Sequence, residues 1–160
     1  MKISLQEARE RIPQRDIILE TTVRLMVPFI QLYGLYVIVH GHYSPGGGFQ
    51  GGVIIGASFI LLAISFDTRM IIGLMSEKSN ILLGNIGVLI YAGIGFLCLL
   101  LGANFLDYSI LSKVLPATDK VMARSHGMLG IEIGVAIAVM AIVISIYINI
   151  VSCGKYDKDV

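Results

Sequence analysis

The sequence predicts an all-α integral membrane protein: a bundle of about four transmembrane helices with a glycine-rich loop between helices 1 and 2. Three observations carry that expectation. First, the 160 residues are 56% hydrophobic and only 14% charged, where a soluble domain carries about 25% charged residues. Second, apolar runs recur at four places, at or near the roughly 17–25 residues that cross a bilayer as a helix. Third, the first two runs are joined by Gly41-His42-Tyr43-Ser44-Pro45-Gly46-Gly47-Gly48-Phe49-Gln50-Gly51-Gly52. That segment is polar, packed with glycine and free of Lys, Arg, Asp and Glu. Irregular backbone at the edge of a bilayer has to hydrogen-bond to protein or to water in a cavity, because lipid offers nothing. The loop therefore points to a protein partner or an ion path.

Taken in order, residues 1–22 read as a cytoplasmic N-terminal arm. They alternate charged and polar groups and have no apolar core of the length a secretory signal needs. Ser4 with Glu7 fits a capping box for a short surface helix, interrupted at Pro13; the competing reading is a solvated arm. Residues 23–151 form the predicted four-helix domain. Its spans are 23–40, 52–66, 81–102 and 128–151. The second is short unless its helix starts inside the glycine loop, near Phe49, and that start is the one expected. In the long connection 103–127, Asp107-Tyr108-Ser109-Ile110-Leu111 is a candidate short helix and Pro116 a break. Residues 152–160 are a short cytoplasmic tail.

Four spans put both termini on one side. That side collects Lys2, Arg9, Arg11, Arg15, Arg24, Arg69, Lys78, Lys155 and Lys158, against Lys113, Lys120 and Arg124 opposite. The excess of basic residues in cytoplasmic loops then predicts cytoplasmic termini in the cell membrane, with Asp67 and Arg69 as interface anchors. Cys98 and Cys153 fall at opposite ends of the bundle and are not expected to pair.

Few residues can carry chemistry. His40 and His42 flank Gly41, and histidine titrates near neutral pH, which suits a proton relay; hydrogen bonding to loop carbonyls is the plainer reading. A metal site is not expected, since no third ligand stands nearby. Glu132 is the one acid within the predicted spans. A carboxylate in hydrocarbon is costly and generally faces a partner or water. It is a candidate for an ion or proton path, with pairing to Arg124 or His126 as the structural alternative. Gly48, Gly52 and Gly56 stand four apart, as do Gly130 and Gly134, a spacing that lets another helix approach closely. The partner helix can lie within the chain or in a neighbouring subunit. Gln31, Asn85, Tyr33, Tyr36 and Tyr91 are expected to make interhelical hydrogen bonds, and the methionines to fill gaps. The run Gly46–Gly48 lacks the Gly-Lys-Ser/Thr of a phosphate loop. No cofactor is implied, no nucleophile–base pair suggests catalysis, and a net charge of +1 gives no reason to expect nucleic acid.

On the residues Gly41-His42, Pro45-Gly46-Gly47-Gly48-Phe49 and Gly51-Gly52, with a likeness extending from about Asp16 through the fourth span, the chain resembles the MnhB/MrpB family. These are membrane subunits of multisubunit sodium/proton antiporters of the Mrp type, with relatives in membrane-bound hydrogenases and ferredoxin-linked complexes of anaerobic archaea. The resemblance implies a small accessory subunit packed beside other small subunits and the large proton-pumping subunits, handling Na+ and H+. In a hydrogenase-type host, ferredoxin-oxidising or hydrogenase subunits would join them. Within the motif, His42, Pro45 and Phe49 are the matched positions expected to be functionally sensitive, with Gly46, Gly47, Gly48, Gly51, Gly52 and Gly56 in packing.

Three functions follow as alternatives: an accessory subunit contributing to an ion path through His42, His40 or Glu132; a purely structural assembly subunit; and an independent transporter, which a single intramembrane acid makes hard to build.

Overall fold

The computed structural model describes residues 17–41, 45–66, 76–114 and 119–152. The expectations at Ser4, Pro13, His42, Asp67, Arg69, Pro116 and Cys153 fall outside these residues. Among the described residues four α-helices are present: α1 (Ile17–Val39), α2 (Gly48–Phe66), α3 (Glu77–Leu100) and α4 (Lys120–Val151). A 3-10 helix over Tyr108–Lys113 lies between α3 and α4, where a short helix was expected. All four α-helices are long and apolar enough to cross a membrane.

The observed helix ends differ from the apolar runs in an instructive way. α1 starts at Ile17, six residues before its span, and α4 starts at Lys120, eight residues before its own. Apolar runs mark where hydrocarbon begins, whereas a helix continues wherever its backbone ladder holds. In the extension of α1, the Thr21 and Thr22 hydroxyls donate back to the Ile17 and Ile18 carbonyls at 2.7 and 2.8 Å. In that of α4, Arg124, Ser125 and His126 are polar without being helix breakers. The start of α2 at Gly48 agrees with the expected one.

The ends of α3 follow from local chemistry. Ser76 caps its start, accepting from the Ser79 N–H at 3.3 Å. Its end is a Schellman motif: the Ala103 N–H donates to the Cys98 carbonyl at 3.1 Å and the Gly102 N–H to that of Leu99 at 3.0 Å. Gly102 there adopts φ +86°, in the left-handed region that glycine enters without a steric penalty. Asp107 caps the 3-10 helix, accepting from the Ser109 N–H and hydroxyl at 3.2 and 2.6 Å. These hydrogen bonds hold the Asp107 carboxyl below the usual carboxylate range, helped by the charges of Arg124 and Lys120.

Glycine contacts define the topology. Along α1 and α2, Gly34 meets Ile55 and Gly51 meets Ile38, so these helices are antiparallel. Gly48, Gly52 and Gly56 meet Glu132, Ala136 and Met140 in turn, so α2 and α4 are parallel. Gly87 meets Ala138 and Gly134, and Gly130 meets Ile94, so α3 and α4 are antiparallel. α4 is therefore central, with α2 on one side and α3 on the other, and α1 outside α2.

Small residues line the close helix contacts, with Ala63, Ala123, Ala136, Ala138 and Ala141 buried beside the glycines, and Val23, Val27, Ile38, Leu111, Ile144 and Ile148 join them in the core. In lipid, apolar area gives no net drive between helices, so close backbone approach and dispersion hold the bundle. Only 17–28% of each apolar window is buried within the chain, which leaves most of every helix to lipid or to other proteins. At the far end from the glycine loop, the Arg24 guanidinium stands 5.2 Å from the centre of the Phe66 ring, within cation–π range.

Candidate functional site: an acid enclosed by the glycine loop

The α1–α2 hairpin is shorter than the α3–α4 hairpin, and that difference makes the site. Gly48, the first residue of α2, sits against the backbone of Glu132, twelve residues into α4. At about 1.5 Å per residue the glycine loop lies about 18 Å below the start of α4. The loop therefore meets α4 along its side, at Glu132, instead of near its tip.

The glycines account for the fit. A Cβ on Gly41 would lie 2.5 and 2.6 Å from the two carboxylate oxygens of Glu132, and one on Gly47 would lie 3.6 Å from Oε1. A Cβ on Gly48 would run into the Glu132 carbonyl, a backbone group that cannot turn aside. Three loop glycines thus bracket one acidic residue: two on its carboxylate and one on its main chain. Oε2 is shielded from solvent. The first turn of α2 opens at the same place. Its leading N–H groups have no partner within the helix, and a helix N-terminus favours nearby negative charge by about 0.3–1 kcal/mol.

The other sequence-derived candidates separate in space. Gly52 and Gly56 continue the seam below Gly48: a Cβ on the first would stand 2.6 Å from the Ala136 carbonyl oxygen and one on the second 3.2 Å from Val143. Gly51 turns the opposite way, toward Ile38 and the Gly34 carbonyl of α1. The four-residue spacing of Gly48, Gly52 and Gly56 is therefore used inside this chain, against α4, and Gly130 and Gly134 are used against α3. A Cβ on Gly46 would lie 3.1 Å from the Gln50 side chain and 3.2 Å from Val37. Pro45 is exposed and Phe49 is 64% exposed, so neither packs into this bundle.

His40 is exposed. Its ring stacks on Tyr36, centroids 4.2 Å apart, and its Nδ1 stands 3.2 Å from the Tyr36 carbonyl. Tyr36 in turn stacks on Tyr33 at 6.4 Å. His40 thus joins an aromatic stripe on the outer face of α1, while its neighbour Gly41 touches the acid. Of the expected partners of Glu132, His126 lines a separate groove with Ile94 and Leu97, and Arg124 acts on Asp107.

One polar group at the opposite end was missed. Asn80 is 1% exposed, and its Nδ2 donates to the Ala141 carbonyl and the Ser145 hydroxyl, both at 2.8 Å. It falls just ahead of the predicted third span, so its residue type inside a helix four residues past Ser76 was the available signal. Among the milder groups, Gln31 and Asn85 hydrogen-bond to no other described residue, so the interhelical bonds expected of them are not made among the described residues. Both line open grooves instead.

Fold and site together define a polytopic α-helical membrane protein whose central helix carries an acid held by a glycine loop. The family described as "Domain related to MnhB subunit of Na+/H+ antiporter" matches residues 18–145, and the chain belongs to that family. It is similar to proteins of Staphylococcus aureus strains Newman and JH1 named, provisionally, antiporter subunit mnhB2. Each is 26% identical over 137 residues, covering 86% of this chain and 95% of theirs.

Proposed function

We propose that this chain is an accessory, non-enzymatic membrane subunit of a Mrp-type multisubunit Na+/H+ antiporter, and that Glu132 is a protonatable group on its ion path. One observation carries the second part: the carboxylate is seated between Gly41 and Gly47 at the closed end of the α1–α2 hairpin. A carboxylate inside the apolar part of a helix costs about 2.5–3.5 kcal/mol by insertion scales, and a group that only packed there could be apolar. The family and the names of its relatives favour an antiporter host over a hydrogenase or ferredoxin-linked one. Cytoplasmic termini in the cell membrane, an arm over 1–22 and a tail over 152–160 belong to the same reading, supported by the distribution of Lys and Arg. His42 is retained as a candidate relay. The exposed stacking of His40 makes it the weaker one.

The structural alternative also has an observation behind it, the seating of Gly48 on the Glu132 main chain. Glu132→Gln separates the two, because it keeps the shape and removes the proton site. In everted vesicles, with a pH-sensitive dye reporting Na+-driven proton movement, the variant is expected to assemble normally and lose antiport at least tenfold. Glu132→Asp is expected to restore part of it. Normal antiport by Glu132→Gln overturns the proton-path reading, and a joint fall in assembly and transport supports the structural one.

A further inference from the structure

A groove of about 570 Å3 runs between α1 and α4, with α2 as its floor. Gln31 and Leu35 of α1 form one wall, Ile133 and Ile137 of α4 the other, and Ile55 and Phe59 of α2 lie beneath. The hollow follows from the order of helix pairing. α1 rests on α2 through Gly34 against Ile55 and Gly51 against Ile38, and α4 rests on α2 through Gly52 and Gly56. The two walls are thus fixed to the floor and not to each other.

Gln31 decides what can fill it. Among the residues that line the groove it alone is polar. It is half-buried, and its side chain hydrogen-bonds to no other described residue. A glutamine amide carries two donor hydrogens and an acceptor oxygen. Along α1 it stands seven residues from Arg24 and nine from His40, about 10 and 13 Å at ~1.5 Å per residue. It therefore lies in the middle of its span, too deep for the side chain to reach water at either surface. Lipid chains would fill the groove and leave the amide bare, because hydrocarbon offers no hydrogen bond. A buried water needs about two to four polar partners, and these walls supply one. Two copies of this chain related by a two-fold axis would present the same patch to each other, and two hollows do not fill one another. A helix that brings a polar side chain of its own meets both demands, of shape and of hydrogen bonding.

We propose that this groove seats a transmembrane helix of a different subunit, which sets an Asn, Gln, Ser or Thr side chain against Gln31. The inference rests on the chain being one subunit of a multi-chain assembly, but is independent of any role for Glu132. The test uses the assembled complex, recovered from membranes through a tag on this chain, with a photo-crosslinking benzoylphenylalanine placed at position 35 or at position 137, one on each wall. The expected result is that both positions form adducts with the same transmembrane peptide of a different subunit, since a seated helix is touched from both sides. Adducts with lipid only, with this chain or a second copy of it, or with two unrelated peptides overturn the proposal. So does labelling of a Leu35→Cys variant, in a Cys153→Ser background, by a membrane-impermeant maleimide, which would make water the occupant. Gln31→Leu removes the amide and breaks no hydrogen bond among the described residues. It is expected to lower the adduct yield from position 35 about threefold, the scale of one interhelical hydrogen bond in a bilayer, and an undiminished yield overturns the role given to Gln31. If the unsubstituted tagged chain recovers no other subunit, it is the subunit reading that fails; if other subunits are recovered and none is cross-linked, this proposal fails alone.

Discussion

Gly87 and Gly93 lie on the same helix, and replacing each by alanine isolates what close helix contact contributes. Either substitution gains helix propensity of about 0.8–1.0 kcal/mol. They differ in surroundings. A Cβ on Gly87 would stand 2.6 Å from both the Ala138 nitrogen and the Gly134 carbonyl oxygen, whereas one on Gly93 would meet nothing within 4 Å. Ordinary contact begins at 3.4 Å, so α3 and α4 must part by about 0.8 Å to admit the methyl group. Both obstructing atoms are backbone, so no side chain can swing aside. A gap of roughly 0.5–1 Å forfeits a quarter to a half of each dispersion contact across it, and overpacking of this kind costs about 1–3 kcal/mol. Gly87→Ala should therefore be less stable than Gly93→Ala by about 1–3 kcal/mol, although the two proteins have the same composition. Cys98 supplies the assay, being free and fully buried on α3. In a Cys153→Ser background, a thiol-reactive dye reports unfolding in detergent as Cys98 becomes accessible. At about 2–4 °C per kcal/mol for a chain of this size, a 2 kcal/mol difference separates the two midpoints by about 4–8 °C. Equal midpoints would refute the close approach of α3 to α4, and with it the central position of α4.

Two further outcomes test local features. Ser76→Ala removes the cap of α3; because the Ser79 N–H to Ser76 contact is long at 3.3 Å, the loss should sit at the low end of the usual range, about 0.5 kcal/mol, read as a small drop in the same thermal midpoint. The Asp107 carboxyl is held below its ordinary value of 3.8, first by the Ser109 hydroxyl and amide and then by Arg124 and Lys120. A depressed folded-state value means that the stabilisation is present above the unfolded-state value and is lost as pH falls through the folded one. Hydrogen exchange across residues 107–114, corrected for its intrinsic pH dependence, should therefore lose protection as the medium is acidified below about pH 4, and Asp107→Asn should remove that pH dependence.

Much of the architecture is legible in the sequence, because the bilayer imposes a single strong rule. Backbone groups in hydrocarbon must bond within their own segment, so four apolar runs give four helices, and a loop of glycines between the first two gives a place where α2 can start early, at Gly48. The short helix near Tyr108 and the end of α3 at Gly102 are likewise local events, written in Asp107 and in a glycine that accepts φ +86°. The helix ends at Ile17 and Lys120 lie outside the apolar runs, because hydropathy reports the solvent around a helix and not the persistence of its hydrogen-bond ladder.

What meets what was settled only by tertiary structure. The spacing of Gly48, Gly52 and Gly56 says that something approaches closely, but a small-residue face fits any helix, and only the packed bundle shows that α4 fills it. Glu132 read as a lone acid near the end of its span, open to Arg124 or His126. Its seat against Gly41, Gly47 and Gly48 depends on how far the α1–α2 hairpin reaches along α4, a length that follows from three-dimensional register and from no property of residue 132. Asn80, which directly precedes the third apolar run, is a buried amide bound to Ala141 and Ser145, because α4 passes over that position sixty-one and sixty-five residues later in the chain. Composition and periodicity determine that this chain lies in a membrane as helices. Which of its few polar groups are enclosed, and which are turned outward, is decided by helix pairing, since the contacts that enclose them come from distant parts of the sequence.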